Sequence, residues 1–388
     1  MKKILYITNA RIPTEKAHGR QIMKMCEAFA RRGTEVKLVV PRRRNLIATD
    51  PFKHYGIPMH TFTIKKLPSL DVVRFGKIGF WIQHLSFLFF AIPYAIAARA
   101  NVVYSRDIIL CFVLSLARVH DVVFEDHEPI RHRRIYAFLL RHIPHKVIVA
   151  ANLRVLYESL GVSVKGVCVA PNGVDLEEFN AVSPDSLLWS RKYDIGREKK
   201  IILYTGHFYR WKGMYTLLDS LRFMGKDIAI VCIGGTASDY AEAQCYIEEQ
   251  KLHNVHLVSF LPHAEIVQHL KSADVLVLPN TAKEERSLRY TTPLKLFEYM
   301  ASGVPIVASR IPSFELYLKD GRNAALCKPD DPEDLSLRIQ EVLSDNARAR
   351  TYARLAREQV AEHTWAARTC VIFSFMNAAK KIPRELTK

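Results

Sequence analysis

No two of the seven cysteines stand in a CxxC pair; positions 26, 111, 168, 232, 245, 327 and 370 are scattered. That spacing argues against a structural zinc site and for a reducing compartment. The chain lacks a GxGxxG fingerprint, which counts against a dinucleotide-dependent dehydrogenase. Repeats of solenoid period and low-complexity tracts are absent as well. Met1 runs directly into the apolar run ILYIT, leaving no room for a signal peptide, so a cytoplasmic protein is expected. Acidic residues are scarce in one half: residues 1–172 hold 11 Asp+Glu against 27 Lys+Arg, a balance of +16, while the rest hold 28 against 29. A basic excess confined to one half points to an anionic membrane or nucleic-acid surface there.

What is present is ordinary for a globular protein, at 49% hydrophobic and 24% charged residues. A length of 388 residues exceeds what one core usually serves, so two domains are expected. Short β-branched runs alternate with amphipathic stretches, the mark of parallel α/β layers. The first series contains ILYIT (4–8), EVKLVVP, NVVYS (101–105), DVVFE (121–125), KVIVA (146–150) and GVCVA (166–170). A helix from about Gly19 to Arg32 carries Ile22, Met25, Cys26 and Phe29 at helical spacing, and Gly33 closes it. After a polar stretch at 180–200 a second series runs through KIILYTG, IAIVCIGG, VHLVSFL, ADVLVLP and PIVAS. The reading is two doubly wound Rossmann-like domains facing a central cleft. Residues 78–98, IGFWIQHLSFLFFAIPYAIAA, have the length of a membrane span. Gln83, His84 and Pro93 interrupt it, and a buried helix or an interfacial amphipathic segment fits better, near Arg74, Lys77 and Arg99.

Ligands of such sheets bind beyond the carboxyl ends of strands, so the chemistry is sought in the loops there. TTPLKLFEYMASGVP (291–305) reads as a helix built to hold an anion: Thr292 suits the N-cap, Pro293 the first turn, and the first amides are free for phosphate. Lys295 sits where the helix dipole disfavours a cation, a local rule broken as at functional sites. Glu298 follows on the same face. In NARIPTEKAHGR (9–20), Gly19 offers close approach to a ligand. EDHEPIRHRR (125–134) places His127 at a strand end; Asp126 and Glu128 beside it are a weak metal signal, and no metal is expected. GHFYRWKG (206–213) sets Arg210 and Lys212 between two glycines, suited to a diphosphate.

In their order and spacing, AHGRQIMKMCEAFARRGTEVKLV, APNGVDLEEF, YTGHFYRWKG, ADVLVLP and TPLKLFEYMASGVPIVAS resemble the family 4 retaining glycosyltransferases (glycosyl transferases group 1), of GT-B fold. The resemblance covers essentially the whole chain. It implies an acceptor-side domain at 1–175, a nucleotide-sugar-binding domain at 176–365, and a C-terminal helix at 366–388 returning to the first. It further implies sugar transfer from a UDP- or GDP-sugar with retention, with no cofactor and no DxD-bound metal. His127, Lys212 and Glu298 become the catalytic set: His127 for sugar orientation, Lys212 for the diphosphate and Glu298 for the ribose hydroxyls. Gly19, Arg210, Lys212, Thr292, Leu294, Lys295 and Glu298 become the donor-binding set. Two departures stand out: Tyr290 occupies the place of a glutamate that contacts the donor sugar, and His207 that of an arginine. With the basic first half, the expected acceptor is a lipid-linked or cell-envelope glycan at the inner face of the membrane. The alternatives are a nucleotide-sugar 2-epimerase or phosphorylase, a basic nucleic-acid-binding protein and a catalytically dead scaffold. No RRM, KH or helix-turn-helix signature accompanies the charge, so a nucleic-acid partner is not expected.

Overall fold

The computed structural model describes residues 3–118, 121–129 and 132–380. Ile130 and Arg131 of the His127 loop, and residues 381–388 of the C-terminal segment, lie outside the described residues. The chain divides into two units, residues 1–172 with 365–388, and residues 173–364.

The first unit is built on seven parallel strands: β1 (Lys3–Ile7), β2 (Glu35–Pro41), β3 (Thr63–Leu67), β4 (Val102–Ser105), β5 (Asp121–Asp126), β6 (His145–Ile148) and β7 (Val167–Val169). They are ordered β3-β2-β1-β4-β5-β6-β7. The second holds β8 (Lys200–Thr205), β9 (Ile228–Ile233), β10 (Val255–Val258), β11 (Val275–Leu278), β12 (Ile306–Ser309) and β13 (Ala325–Cys327), ordered β10-β9-β8-β11-β12-β13. Both follow the doubly wound pattern whose order reverses beside the first strand, which is where such sheets bind ligands. In the first unit that point lies between β1 and β4, in the second between β8 and β11.

The central strands form because continuous β-branched and leucine runs can be covered on both faces; every residue of β9 is buried. In the Ala17–Arg31 helix Ile22, Met25, Cys26 and Phe29 are buried, as their spacing predicts. Gly33 follows in the left-handed conformation that ends a helix cheaply. Strands β3 and β13 have no counterpart in the sequence reading. Both are sheet edges; TIKKL is mostly half-covered or exposed, and ALC is three residues long.

Two helix starts differ from expectation. The first helix begins at Ala17, so His18 and Gly19 lie inside its first turn rather than ahead of it. The helix expected at Thr292–Gly303 runs Leu294–Ser302, with Pro293 in extended conformation at the cap position and no side-chain cap bond. Thr292 is therefore not the N-cap: it is buried and its side chain bonds Tyr317 instead. The Trp365–Lys380 helix belongs to the first unit and packs against the Ala17–Arg31 helix.

Candidate active site

In the second unit, the loops leaving β8 and β11 meet at the switch point. Gly213 has φ +73°, and a Cβ there would lie 1.7 Å from the Pro279 carbonyl oxygen, so only glycine lets the two loops touch. Thr281 N donates to Trp211 O at 3.2 Å and Ser287 Oγ to the same oxygen at 3.3 Å. Lys212 ends the first loop, its Nζ 5.4 Å from the ring centroids of both Tyr209 and Trp211. Lys295, in the first turn of the Leu294–Ser302 helix, places its Nζ 3.9 Å over the Tyr204 ring. That ammonium is buried, and it has no hydrogen-bond partner among the described residues.

Burial pushes the Lys212 ammonium down to about 8; Asp239 supports its charge and Arg286 opposes it. Burial also drives Lys295 well below the ordinary lysine value, and the charge of Lys212 adds to that shift. Two cations are thus held within each other's field in a dry place, beside the outward-pointing amides of a helix start. The chemistry that satisfies all of these is a phosphate anion. Leu294 and Lys295 supply the first amides, while that of Leu296 already donates to Pro293 O at 3.1 Å. Glu298, one turn on, is half-buried, with its Oε1 3.8 Å from Nδ1 of His263.

Arg210 points elsewhere: its exposed guanidinium is paired with Glu242 at 2.6 Å and lies over Tyr215. The arginine that reaches the lysine loop is Arg286, 4.5 Å over the Trp211 ring. In the sequence it is one charge among several in KEERSLRY (283–290), just ahead of TTPLKLFEYMASGVP. His207 is stacked on Tyr209, its Nδ1 3.7 Å from Asp239. Tyr290 is buried, and its hydroxyl donates to Glu285 Oε1 at 2.9 Å. Tyr290 thereby tethers an acid from five residues upstream, in a turn of π-helix (Arg286–Tyr290), a form common at functional sites.

In the first unit, three donors converge on one oxygen. His127 Nε2 donates to Glu125 Oε1 at 2.6 Å, Gln21 Nε2 at 2.6 Å and Arg368 Nη2 at 2.9 Å. Burial raises the pKa of Glu125, but Arg368, His127 and Arg106 outweigh it and hold the carboxyl well below its usual range. Burial, with the charge of Arg106, lowers His127 to about 4. The imidazole is neutral at pH 7, and a carboxylate only accepts, so Nε2 carries the proton and Nδ1 is left as an acceptor. That is the polarity needed to receive a hydroxyl. Glu125 was missed in the sequence although strand alternation puts residues 125 and 127 on one face and Asp126 on the other. Asp126 accepts from the hydroxyls of Tyr136 and Tyr157, the latter at 2.6 Å, so it does not pair with its neighbours around a metal. Gly19 has a packing reason: a Cβ would lie 2.2 Å from the Tyr55 hydroxyl, which accepts from Thr14 N and donates to Thr14 O. The structure thus joins Lys212, Lys295, Thr292, Leu294 and Glu298 in one unit and places Gly19 and His127 in the other.

The lysine site carries a pH signature. With Lys212 titrating near 8, an anion that needs its ammonium binds best below that pH. Inorganic pyrophosphate affinity should fall by up to about tenfold per pH unit above 8, with proton uptake on binding. Calorimetry in buffers of different ionisation heat measures the uptake; Lys212→Met should reduce it, leaving only the part taken up at Lys295, and a flat profile in the parent protein contradicts this placement of charge.

Residues 185–359 match the family model described as Glycosyl transferases group 1. Among curated proteins, the chain is similar to D-inositol 3-phosphate glycosyltransferase of Corynebacterium diphtheriae, 28% identical over 211 residues, covering 52% of this chain and 48% of that protein. It is also similar to phosphatidyl-myo-inositol mannosyltransferase of Mycobacterium tuberculosis, 27% identical over 50% of each chain. The chain thus spans about half the length of the curated relatives it matches. Among solved structures, HepE of Anabaena, solved with UDP and glucose, superposes with a TM-score of 0.77 at 15% identity, over 98% of this chain and 100% of that one. Sucrose-phosphate synthase of Thermosynechococcus elongatus gives 0.80 at 18%, over 98% and 99%. The chain has the GT-B fold, and its residues 185–359 resemble the glycosyl transferases group 1 family.

Proposed function

We propose that the protein is a retaining glycosyltransferase of family 4, moving a hexose from a UDP- or GDP-sugar to a lipid-linked or cell-envelope glycan without a metal or other cofactor. The observation that carries this reading is the pair Lys212 and Lys295, two desolvated cations at a helix start, one of them without a hydrogen-bond partner. A leaving diphosphate gains negative charge as the bond from its terminal oxygen to the anomeric carbon breaks. Preorganised cations in a dry site stabilise that charge without reorganisation. Glu298 takes the ribose diol, Thr292, Leu294 and Lys295 the phosphates, and the Tyr290–Glu285 pair the donor sugar. Gly19 is a further donor contact. Arg210 remains an outer contact, and His127 orients the sugar through its acceptor nitrogen. A solved neighbour holding UDP-glucose supports the donor class, and a relative named for a phosphatidylinositol acceptor supports a lipid one. The basic first half supports a peripheral position at the cytoplasmic face of an anionic membrane.

A thermal-shift series with UDP, GDP and ADP tests the donor site. At about a hundredfold over Kd the cognate nucleotide stabilises by about 2.7 kcal/mol, which raises the melting temperature by roughly 5–10 °C. Release of that diphosphate from its sugar only when a glycan acceptor is present establishes transfer; release without acceptor favours an epimerase. His127→Ala should keep the nucleotide shift while lowering turnover by about 10²–10³, as for loss of one transition-state contact. Indifference to all three nucleotides overturns the reading.

A further inference from the structure

The Gly76–Ala97 helix is turned the wrong way round for a helix facing water. Its buried side carries Gln83 and His84 along with Gly79, Phe87, Leu88, Ala91 and Ala95. Gln83 exchanges two hydrogen bonds with Asn9, at 2.8 and 3.1 Å, and His84 Nε2 lies 2.5 Å from the Asp107 carboxylate. Its outward side is apolar and aromatic: Ile78 is 74% exposed, Trp81 51%, Leu85 57% and Phe89 73%. Soluble proteins seldom leave contiguous apolar surface of this kind uncovered. Two neighbouring helices extend it. The Ile108–Ala117 helix, packed on this one, exposes Leu116, and Arg133–Arg141, packed on that, exposes Ile135 and Phe138.

We propose that this face is a bilayer-docking surface, inserted into the headgroup–acyl boundary of an anionic leaflet with the helix lying in the membrane plane. Charge selects this occupant. No acidic residue occurs between Asp71 and Asp107, while Arg74 and Lys77 at one end of the helix and Arg99 beyond the other are all exposed. Cations flanking an aromatic-rich apolar face are what an anionic interface attracts. A second copy docked face to face would instead oppose like charges. By length and composition the helix could cross a membrane. A crossing helix, however, has lipid on every side, which would strip Gln83 and His84 of the partners that fix them to the unit. Leu88, Phe89, Phe90, Ile92 and Pro93 line an apolar groove toward the end of the helix, suited to an acyl tail.

The proposal deepens the membrane part of the proposed function and is independent of donor chemistry. Its test is sedimentation of the full-length protein with vesicles of phosphatidylcholine, with and without phosphatidylglycerol, beside the nucleotide thermal shift of each variant. The expected result is partitioning onto the mixed vesicles, with Trp81 fluorescence blue-shifted and quenched by brominated acyl chains; Trp81→Phe identifies that signal. Phe89→Glu should reduce binding at least tenfold and leave the nucleotide shift unchanged. Arg74→Glu with Lys77→Glu should weaken it about fivefold or more per charge at low salt. Unaltered binding by Phe89→Glu overturns the surface. A dimer that Phe89→Glu dissolves overturns the occupant, and retention after carbonate extraction overturns the interfacial placement. A lost nucleotide shift with intact vesicle binding would count against the donor reading alone.

Discussion

Lys295→Met should make the ligand-free protein more stable and its nucleotide response weaker. The wild-type side chain holds an ammonium in a buried place with no hydrogen-bond partner among the described residues, offset by the Tyr204 ring 3.9 Å away and weakly by the charge of Glu298. An uncompensated buried charge costs several kcal/mol, of which a desolvated cation–π contact returns about 2 or less. A methionine of similar length keeps the packing and removes the difference. A net gain of about 2 kcal/mol raises the melting temperature by roughly 4–8 °C for a unit of this size. The sign with pH follows from the depressed folded-state pKa of Lys295. The cost is fully present below that pKa and disappears as pH rises toward the ordinary lysine value, so the advantage of methionine narrows in alkali. Differential scanning calorimetry across pH, with and without UDP or GDP, measures both effects. A variant that is less stable, with an intact nucleotide shift, contradicts the anion site.

Arg368→Met should do the opposite. Arg368 is an equally buried cation, but its Nη2 donates to Glu125 at 2.9 Å and its Nε to the carbonyls of Ala170 and Pro171 at 3.1 and 2.9 Å. Removing it takes the buried ionic partner from the Glu125 carboxylate and leaves it the neutral donors Gln21 and His127. Breaking one side of a buried pair costs about 3–5 kcal/mol, or on the order of 10 °C in melting temperature. Glu125 then loses the strongest attraction that holds its pKa down, and the carboxylate that sets the His127 tautomer is no longer fixed. Turnover should fall with stability, and the acid limb of its pH profile should move up. Adding Glu125→Gln to Arg368→Met should recover part of the stability but none of the turnover. Full recovery of turnover would show that the network is only structural.

The pair also marks what the sequence could say. Most core strands were legible because β-branched runs buried on both faces leave a local signal, and β9 is one unbroken apolar run. The edges β3 and β13 left none, one being half-polar and the other three residues long. Lys295 was visible as a cation in a helix's first turn, a local anomaly, although the cap drawn beside it at Thr292 is taken up by a tertiary bond to Tyr317. Glu125 was visible in principle through strand alternation with His127. Arg368 was not, because its partner stands 243 residues away and nothing nearby betrays the contact. Arg210 and Arg286 were indistinguishable as loop cations until the structure paired the first with Glu242 and laid the second on Trp211.

The contact between Gly213 and the Pro279 carbonyl has a bearing on selectivity. The lysine loop and the loop leading to the Leu294–Ser302 helix are stitched together there, and again through Trp211 O. A site made of two mutually locked loops has little ordering entropy left to lose when an anion arrives. It cannot tell one nucleotide from another by closing more tightly around it. For the proposed donor, a choice between uracil and guanine would then rest on fixed contacts to the base, as a template chooses and not as a trap does.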